Sequence, residues 1–306
     1  MQVLNHKTLP DGKKRVVVLG NFDGVHKGHA KLIELARQSA EGFPVCVYTF
    51  NQNTSPFKSG SLLTTNEEKT EYIKHHGVDE IFFDDFSRVK DMTPEEFCEK
   101  VLIETLGCEI AVCGENFGFG KNRSGNAQNL SQIMTSFSKK AIVSPLYFYK
   151  EKAVSSSAIR ELIISGNVSE ATALLGREYA FTSEIIHGME LARKLGFPTV
   201  NQLFPEGKAK PKNGVYISLC TFDGKEYHAV SNVGTKPTVT HDGKDAPIIC
   251  ESHLIGFKED IYGKPVTVKF IKKLRDETKF DSLEKLSEAV KNDVLSAKKH
   301  FTEKGL

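Results

Sequence analysis

Between Gly20 and His29 the chain reads Gly-Asn-Phe-Asp-Gly-Val-His-Lys-Gly-His, a glycine-rich run ending in two histidines three apart with a lysine between them. Such residues can handle phosphate. Glycines let the main chain approach a ligand, and histidine and lysine donate to phosphate oxygens as charge builds up during transfer. His26 and His29 are the candidates for stabilising a transferred group, with Gly20, Phe22, Asp23, Gly24 and Lys27 as candidate phosphate or nucleotide contacts. The same letters also make an ordinary solvated turn. Their placement decides for chemistry, because they sit between an apolar run and an amphipathic one, where the free N–H groups of a helix start favour an anion.

Two more segments carry related groups. Val154-Ser155-Ser156-Ser157-Ala158-Ile159-Arg160 opens a helix with hydroxyls and sets an arginine one turn inside. Ser156, Ser157 and Arg160 thus form a second candidate phosphate element, although serines in that place also act as plain helix caps. From Gly114 to Gly125, Asn116, Phe117, Phe119, Lys121 and Arg123 lie on a glycine-rich backbone. That mixture suits a planar ring that carries a phosphate.

The elements holding these groups change character partway along the chain. Val16–Leu19, Val45–Phe50, Glu80–Phe83, Ile110–Cys113 and Ala141–Val143 are short apolar runs separated by helical stretches. Among those helices, His29–Ala40 carries Leu32, Ile33, Leu35 and Ala36 at helical spacing, and another opens with Thr93 as cap, Pro94 and Glu96. Five such strands predict an α/β, doubly wound parallel sheet, with ligands at the strands' carboxyl ends. From about Tyr179 the runs Thr182–Ile186, Val215–Thr221, His228–Val233, Ile248–Ile255 and Val266–Ile271 are separated by turn pairs such as Asp223-Gly224, Asp242-Gly243 and Tyr262-Gly263. They predict a small antiparallel β-barrel. A terminal helix over Ser282–Lys299 follows, with Leu283, Leu286, Ala289, Val290 and Val294 as its apolar stripe. The reading gives two domains, 1–178 and 179–306.

Bulk properties agree with this division. The 306 residues are about twice a common domain length. With 41 Lys and Arg against 39 Asp and Glu, the net charge of +2 gives no broad footprint for nucleic acid or an anionic membrane. None of the six cysteines forms a CxxC pair, which favours reduced, buried thiols. No apolar run approaches a membrane span or a signal-peptide core. A soluble cytoplasmic protein is expected, open to weak self-association.

Taken in order, the three motifs resemble the bacterial bifunctional riboflavin kinase/FMN adenylyltransferase family. The resemblance continues through Leu195–Asn201 (Leu-Gly-Phe-Pro-Thr-Val-Asn), Asn213–Tyr216, Val233–Thr238, Glu251-Ser252-His253-Leu254 and the stretch from Tyr262-Gly263 to Arg275-Asp276-Glu277. It implies that the first half is a nucleotidyltransferase domain that adenylylates FMN to FAD with release of pyrophosphate, and that the second phosphorylates riboflavin with ATP. By the same resemblance, His26 and His29 act on ATP phosphates, helped by Ser156, Ser157 and Arg160. Asn116, Phe119, Arg123 and Arg275 face flavin, while Gly188 and Arg193 contact the kinase ATP. Thr199 and Asn201 hold Mg²⁺, and Glu251 is the general base. An adenylyltransferase with an inactive, flavin-binding barrel, or a non-enzymatic flavin-binding regulator, would carry the same fold. Three positions depart from the family pattern: Asn51–Pro56 lacks its His-Pro, Ala192 precedes Arg193 in place of glycine, and Val200 replaces alanine.

Overall fold

The computed structural model describes residues 1–51, 61–186, 196–235, 247–257, 259 and 261–305. It falls into two compact units, Met1–Ser156 and Ser157–Leu306.

In the first unit the elements run β1 (Gln2–Leu4), β2 (Arg15–Leu19), α1 (Lys27–Gln38), β3 (Val45–Phe50), α2 (Asn66–His75), β4 (Glu80–Asp84), α3 (Phe86–Val89) and α4 (Pro94–Glu96). A π-helical run over Phe97–Thr105 leads to β5 (Cys108–Gly114), the short hairpin β6 (Gly118–Phe119) and β7 (Gly125–Asn126), α5 (Ala127–Ser136), β8 (Lys140–Ser144), β9 (Phe148–Tyr149) and β10 (Lys152–Ala153). Six strands pair in parallel in the order β1-β4-β3-β2-β5-β8. The five expected strands are all present. The sixth, β1, lies in a polar stretch where only Leu4 is buried, so its pairing with β4 makes it a strand rather than any pattern of its own.

From β2 the chain adds β3 and β4 on one side, then β5 and β8 on the other. The carboxyl ends of β2 and β5 therefore flank the topological switch point, where doubly wound sheets bind ligands. β2 is buried along its whole length, and α1 covers one face of the sheet with Leu32, Ile33 and Ala36. α4 starts as its sequence requires, with Thr93 and Glu96 making a reciprocal capping box and Pro94 in the first turn. At the opposite end of the sheet, fully buried Arg15 donates to Glu80 Oε2 at 2.6 Å and to Asp11 Oδ1 and Oδ2 at 2.9 and 2.7 Å. This ion network braces the end remote from the ligand edge.

The second unit contains most of α6 (Ser156–Ser165), then α7 (Val168–Leu175), β11 (Tyr179–Glu184), β12 (Val200–Leu203), β13 (Gly214–Phe222), β14 (Lys225–Thr235), β15 (Ile248–Leu254), β16 (Pro265–Arg275) and α8 (Leu283–Lys304). Its six strands are antiparallel in the order β11-β16-β13-β14-β15-β12. The sheet curls until its edges meet at one bridge, where Ile186 N donates to Asn201 O at 2.8 Å. Asp223 and Gly224 both have positive φ, as the tight hairpin turn between β13 and β14 requires.

Three features differ from the sequence reading. α7 buries Val168, Ala171, Leu174 and Leu175 and packs on β11 and β16, so by packing it goes with the curled sheet, whereas composition put the boundary after residue 178. β12 is a short strand after Pro198 that lacks a period of its own. In α8 the buried residues are Asp293, Ala297 and Phe301, while Leu283, expected on the apolar stripe, is 51% exposed. Only the later turns of the helix cover Val215, Ile217, Leu219 and Val230. The Asp242-Gly243 turn lies outside the described residues.

Candidate active sites

The loop after β2 is held almost entirely through its main chain. Phe22 and Val25 have φ of 50° and 39°, strained values for non-glycine residues and more so for a β-branched one, and Gly24 has 81°. The strain is held by anchors. The Phe22 ring is fully buried in the core. The carboxylate of Asp23, 1% exposed, accepts from the N–H groups of Leu63 and Thr64 at 2.9 and 3.1 Å, and Gly24 N donates to Thr64 Oγ1 at 3.1 Å. Phe22 and Asp23 thus shape the loop with their side chains, leaving its main chain as what they can offer a ligand.

His26 caps α1, its Nδ1 accepting from His29 N at 3.3 Å. In the neutral ring this leaves the proton on Nε2, as a donor. The rings of His26 and His29 stack at 3.7 Å with 12° between planes. Gly28 permits this: a Cβ there would come within 3.2 Å of the His26 ring. A Cβ at Gly20 would likewise meet the Phe22 ring at 3.0 Å. Lys27 Nζ lies 5.7 Å from the centroid of the Tyr149 ring. Ser156, the first residue of α6, donates from Oγ to the carbonyl of Asp23 at 2.8 Å, which joins the start of the serine element to the first loop. Ser157 is exposed and Arg160 half-buried one turn on, both in the second unit.

In the loop after β5, Phe119 is a core side chain, 7% exposed, stacked on half-buried Phe117 at 5.5 Å and tilted against Phe97 at 5.5 Å. Arg123, at φ 56°, lies against Gly118, where a Cβ would come within 2.8 Å of its guanidinium. Asn116 Oδ1 would lie 3.2 Å from a Cβ on Gly114. The loop is a packed aromatic ledge rather than a flexible segment.

In the second unit the site is assembled by strand register. Asn201 on β12 pairs with Glu251 on β15, which pairs with Asn232 on β14. Directly paired residues share a face of the sheet, so Asn201, Glu251 and Asn232 form a row. Asn201 is 4% exposed, and its Oδ1 is buried with no hydrogen-bond partner among the described residues. A buried orphan acceptor is costly unless a ligand completes it. Two residues beyond Glu251, His253 Nδ1 lies 2.9 Å from the carbonyl of Pro198, and its ring meets Phe197 edge-on. This holds Phe197-Pro198-Thr199 beside β15. On the other face Ser218, Ser231 and Ser252 form a buried hydroxyl chain at 2.6 and 2.7 Å. Arg275, expected to face flavin, is held by Asp293 of α8, with Nη2 to Oδ2 at 2.8 Å and Nε to Oδ1 at 3.1 Å, and it stacks over Phe280. In this arrangement it ties β16 to α8.

Sequence reading missed Thr64 and Asn232, and it gave no separate role to His253. None stands in a distinctive local motif except His253, two residues after Glu251. Gly188, Ala192, Arg193 and residues 52–56 lie outside the described residues, and Val200 is half-buried in β12. All six cysteines are free and buried, and burial raises their thiols, Cys98, Cys113 and Cys250 to about 12.

A family model for FAD synthetase matches residues 9–158, and one for riboflavin kinase matches residues 175–301. The bifunctional riboflavin kinase/FMN adenylyltransferase of Bacillus subtilis is 31% identical, over 97% of this chain and 96% of that protein. Its counterpart from Escherichia coli is 30% identical, over 94% and 92%. A crystal structure described as a macrolide-efflux protein from Streptococcus pneumoniae has a TM-score of 0.88 at 30% identity, covering 97% of this chain and 99% of that one. That description belongs to the other protein; what the two share is a fold across both units. Two matching family models in this order, with relatives aligned from end to end, place the chain in the bifunctional riboflavin kinase/FMN adenylyltransferase family.

Proposed function

We propose that the two activities of this family are divided between the two units, with adenylyl transfer at the loop after β2 and riboflavin phosphorylation at the row on β12, β15 and β14. The protein is an enzyme of flavin cofactor biosynthesis that makes FMN from riboflavin and FAD from FMN.

In the first unit, a phosphate oxygen of FMN attacks the α-phosphorus of ATP, the new P–O bond forms, and pyrophosphate leaves with the electrons of the broken bond. The His26 Nε2–H, the stacked His29, Lys27 and the main-chain N–H groups of Asn21 and Phe22 donate to the phosphate oxygens as charge shifts towards the leaving group. Ser156, bonded through Oγ to the carbonyl of Asp23, serves the second phosphate element. Asn116, Phe117 and Arg123 present the flavin side, with Phe119 supporting Phe117 from the core.

In the second unit, Glu251 accepts the proton of the ribityl hydroxyl as its oxygen attacks the γ-phosphorus of ATP and ADP leaves. Family members need a divalent metal, and Asn201 and Thr199 would hold Mg²⁺ here. The orphan Oδ1 of Asn201 supports this, because neutral oxygen ligands suit a hard cation. When bound, the cation neutralises phosphate charge. Gly188 and Arg193 contact the nucleotide. The observation that carries the kinase reading is the register pairing of Asn201 with Glu251, which puts ligand and base on one face and favours a working kinase over an inactive barrel.

The setting is the cytoplasm, with riboflavin, FMN, FAD, ATP and pyrophosphate as partners and neither nucleic acid nor membrane. A net charge of +2 and six buried thiols support that setting. Among the described residues no helix is long and apolar enough to cross a membrane. Purified protein given riboflavin, ATP and Mg²⁺ should accumulate FMN and then FAD, and a chelator should stop both until Mg²⁺ is restored. FAD from supplied FMN with no FMN from riboflavin would leave only the adenylyltransferase, and binding without turnover would remove both reactions.

A further inference from the structure

Beneath the loop after β2 lies a charge that the proposed chemistry does not use. Lys69 of α2 is 4% exposed. Its Nζ donates to the carbonyl of Asn21 at 2.9 Å, to Thr49 Oγ1 at 3.3 Å and to the carbonyl of Phe50 at 3.4 Å. Thr49 Oγ1 in turn donates to Asn21 O at 2.8 Å. All three oxygens are neutral, and they belong to the carboxyl ends of β2 and β3, next to the switch point. Burying an ammonium among neutral groups is costly, and its pKa falls to about 8, with desolvation the main cause and the nearby Asp23 carboxylate opposing it. A neutral donor could tie these strands at less cost.

We infer that Lys69 is a positioning residue for adenylyl transfer: its ammonium clamps Asn21 to the end of β3, fixing the strained loop, and sets a positive charge beneath the phosphates. That charge is poorly screened, since the side chain is sealed from water. Among the described residues, the neighbours of its ammonium are the Asn21 carbonyl from the loop, Thr49 and the Phe50 carbonyl from β3, and the Phe83 ring of β4 at 5.8 Å, and the Asp23 carboxylate of the loop acts on it through space. On its own helix the Glu68 carboxylate is held by Thr65 N. The inference rests on the assignment of adenylyl transfer to His26 and His29.

The test uses the full chain, with FAD formation from FMN and FMN formation from riboflavin measured on the same preparations. K69M keeps the apolar stem of the side chain as far as Cε and removes the charged donor. It should lower kcat for FAD formation by about 10²-fold, the loss typical of a small displacement of reacting groups. KM for ATP should change less, and riboflavin phosphorylation should be untouched. Wild-type FAD formation should decline as pH rises through about 8, where Lys69 loses its proton, and the residual activity of K69M should lack that limb. T49V removes one oxygen partner and keeps the charge, so it should move the limb to lower pH, a readout that survives if K69M fails to fold. H29A in parallel separates the two assignments. Full FAD formation by H29A would overturn the site. Loss in H29A together with wild-type kcat in K69M, an unchanged limb in K69M, or an unmoved limb in T49V would overturn the role of Lys69 alone.

Discussion

The two sites are built in opposite ways. In the first unit the two histidines and the phosphate loop are neighbours in sequence, ten residues running from the end of β2 into the first turn of α1, and the fold has only to hold their main chain in a strained shape. In the second, Asn201 and Glu251 are fifty positions apart and meet because two antiparallel strands pair in one register. A site written as a contiguous loop is sensitive to its anchors. A site written across strands is sensitive to register, since a slip of one residue would turn every side chain to the other face.

Substitutions can break this comparison in order of size. E251Q keeps the shape of the strand and removes the base. Riboflavin phosphorylation should fall by roughly 10²–10⁴-fold in steady-state assays while FMN adenylylation stays near wild type. A kinase rate within a few-fold of wild type would leave positioning by Thr199, Asn201 and the metal as the main catalytic term.

The converse substitution, H29A, should reduce FAD formation by about 10²–10³-fold, the loss seen when one preorganised donor is removed, and spare the kinase. Equal loss of both activities would mean misfolding or a shared site.

The independence of the second unit can be sharpened with fragments. One starting at Ser157 retains α7 and its four buried apolar residues, and one starting at Tyr179 lacks them. The longer fragment should be the more stable by about 3 kcal/mol or more in urea titrations, given the apolar area α7 covers. Both should phosphorylate riboflavin if their sheets fold. A folded but inert Ser157 fragment would take the kinase out of this unit.

G28A tests how far the loop site depends on close approach. Alanine favours a helix over glycine by about 1 kcal/mol, so thermal stability should hold or rise. Yet the new Cβ presses the His26 ring at 3.2 Å, and FAD formation should drop about tenfold. Activity lost only together with stability would refute this account.

The smallest effect concerns the remote end of the first sheet. The hydrogen bonds from Arg15 hold the Asp11 carboxyl down at about 2, below its ordinary 3.8. A carboxyl lowered in the folded state stabilises the fold above its unfolded value, and that contribution is lost as pH falls from about 4 towards 2. Asp11 is exposed and water screens it, so D11N should cost about 1 kcal/mol at neutral pH and nothing below about pH 2. Both catalytic activities should stay unchanged at pH 7.

The sequence alone determined the parallel sheet, because five β-branched apolar runs spaced by helices have few other ways to bury their surface. It determined the histidine loop, because adjacent residues on a glycine backbone stay adjacent in any fold. It also pointed to the curled sheet, through alternating runs and turn pairs. Tertiary structure decided the rest, and for one physical reason: long-range pairing and burial reassign side chains whose local pattern is neutral. β1 became a strand only beside β4, and α7 joined the curled sheet only through the face it buries. Leu283 was left in solvent because only the later turns of α8 reach the sheet. Phe22 and Phe119, apolar residues in candidate binding loops, became core anchors. Lys69, one charged residue among many on α2, was carried to the strand ends under the phosphate loop, where burial gave it a cost that no sequence pattern announces.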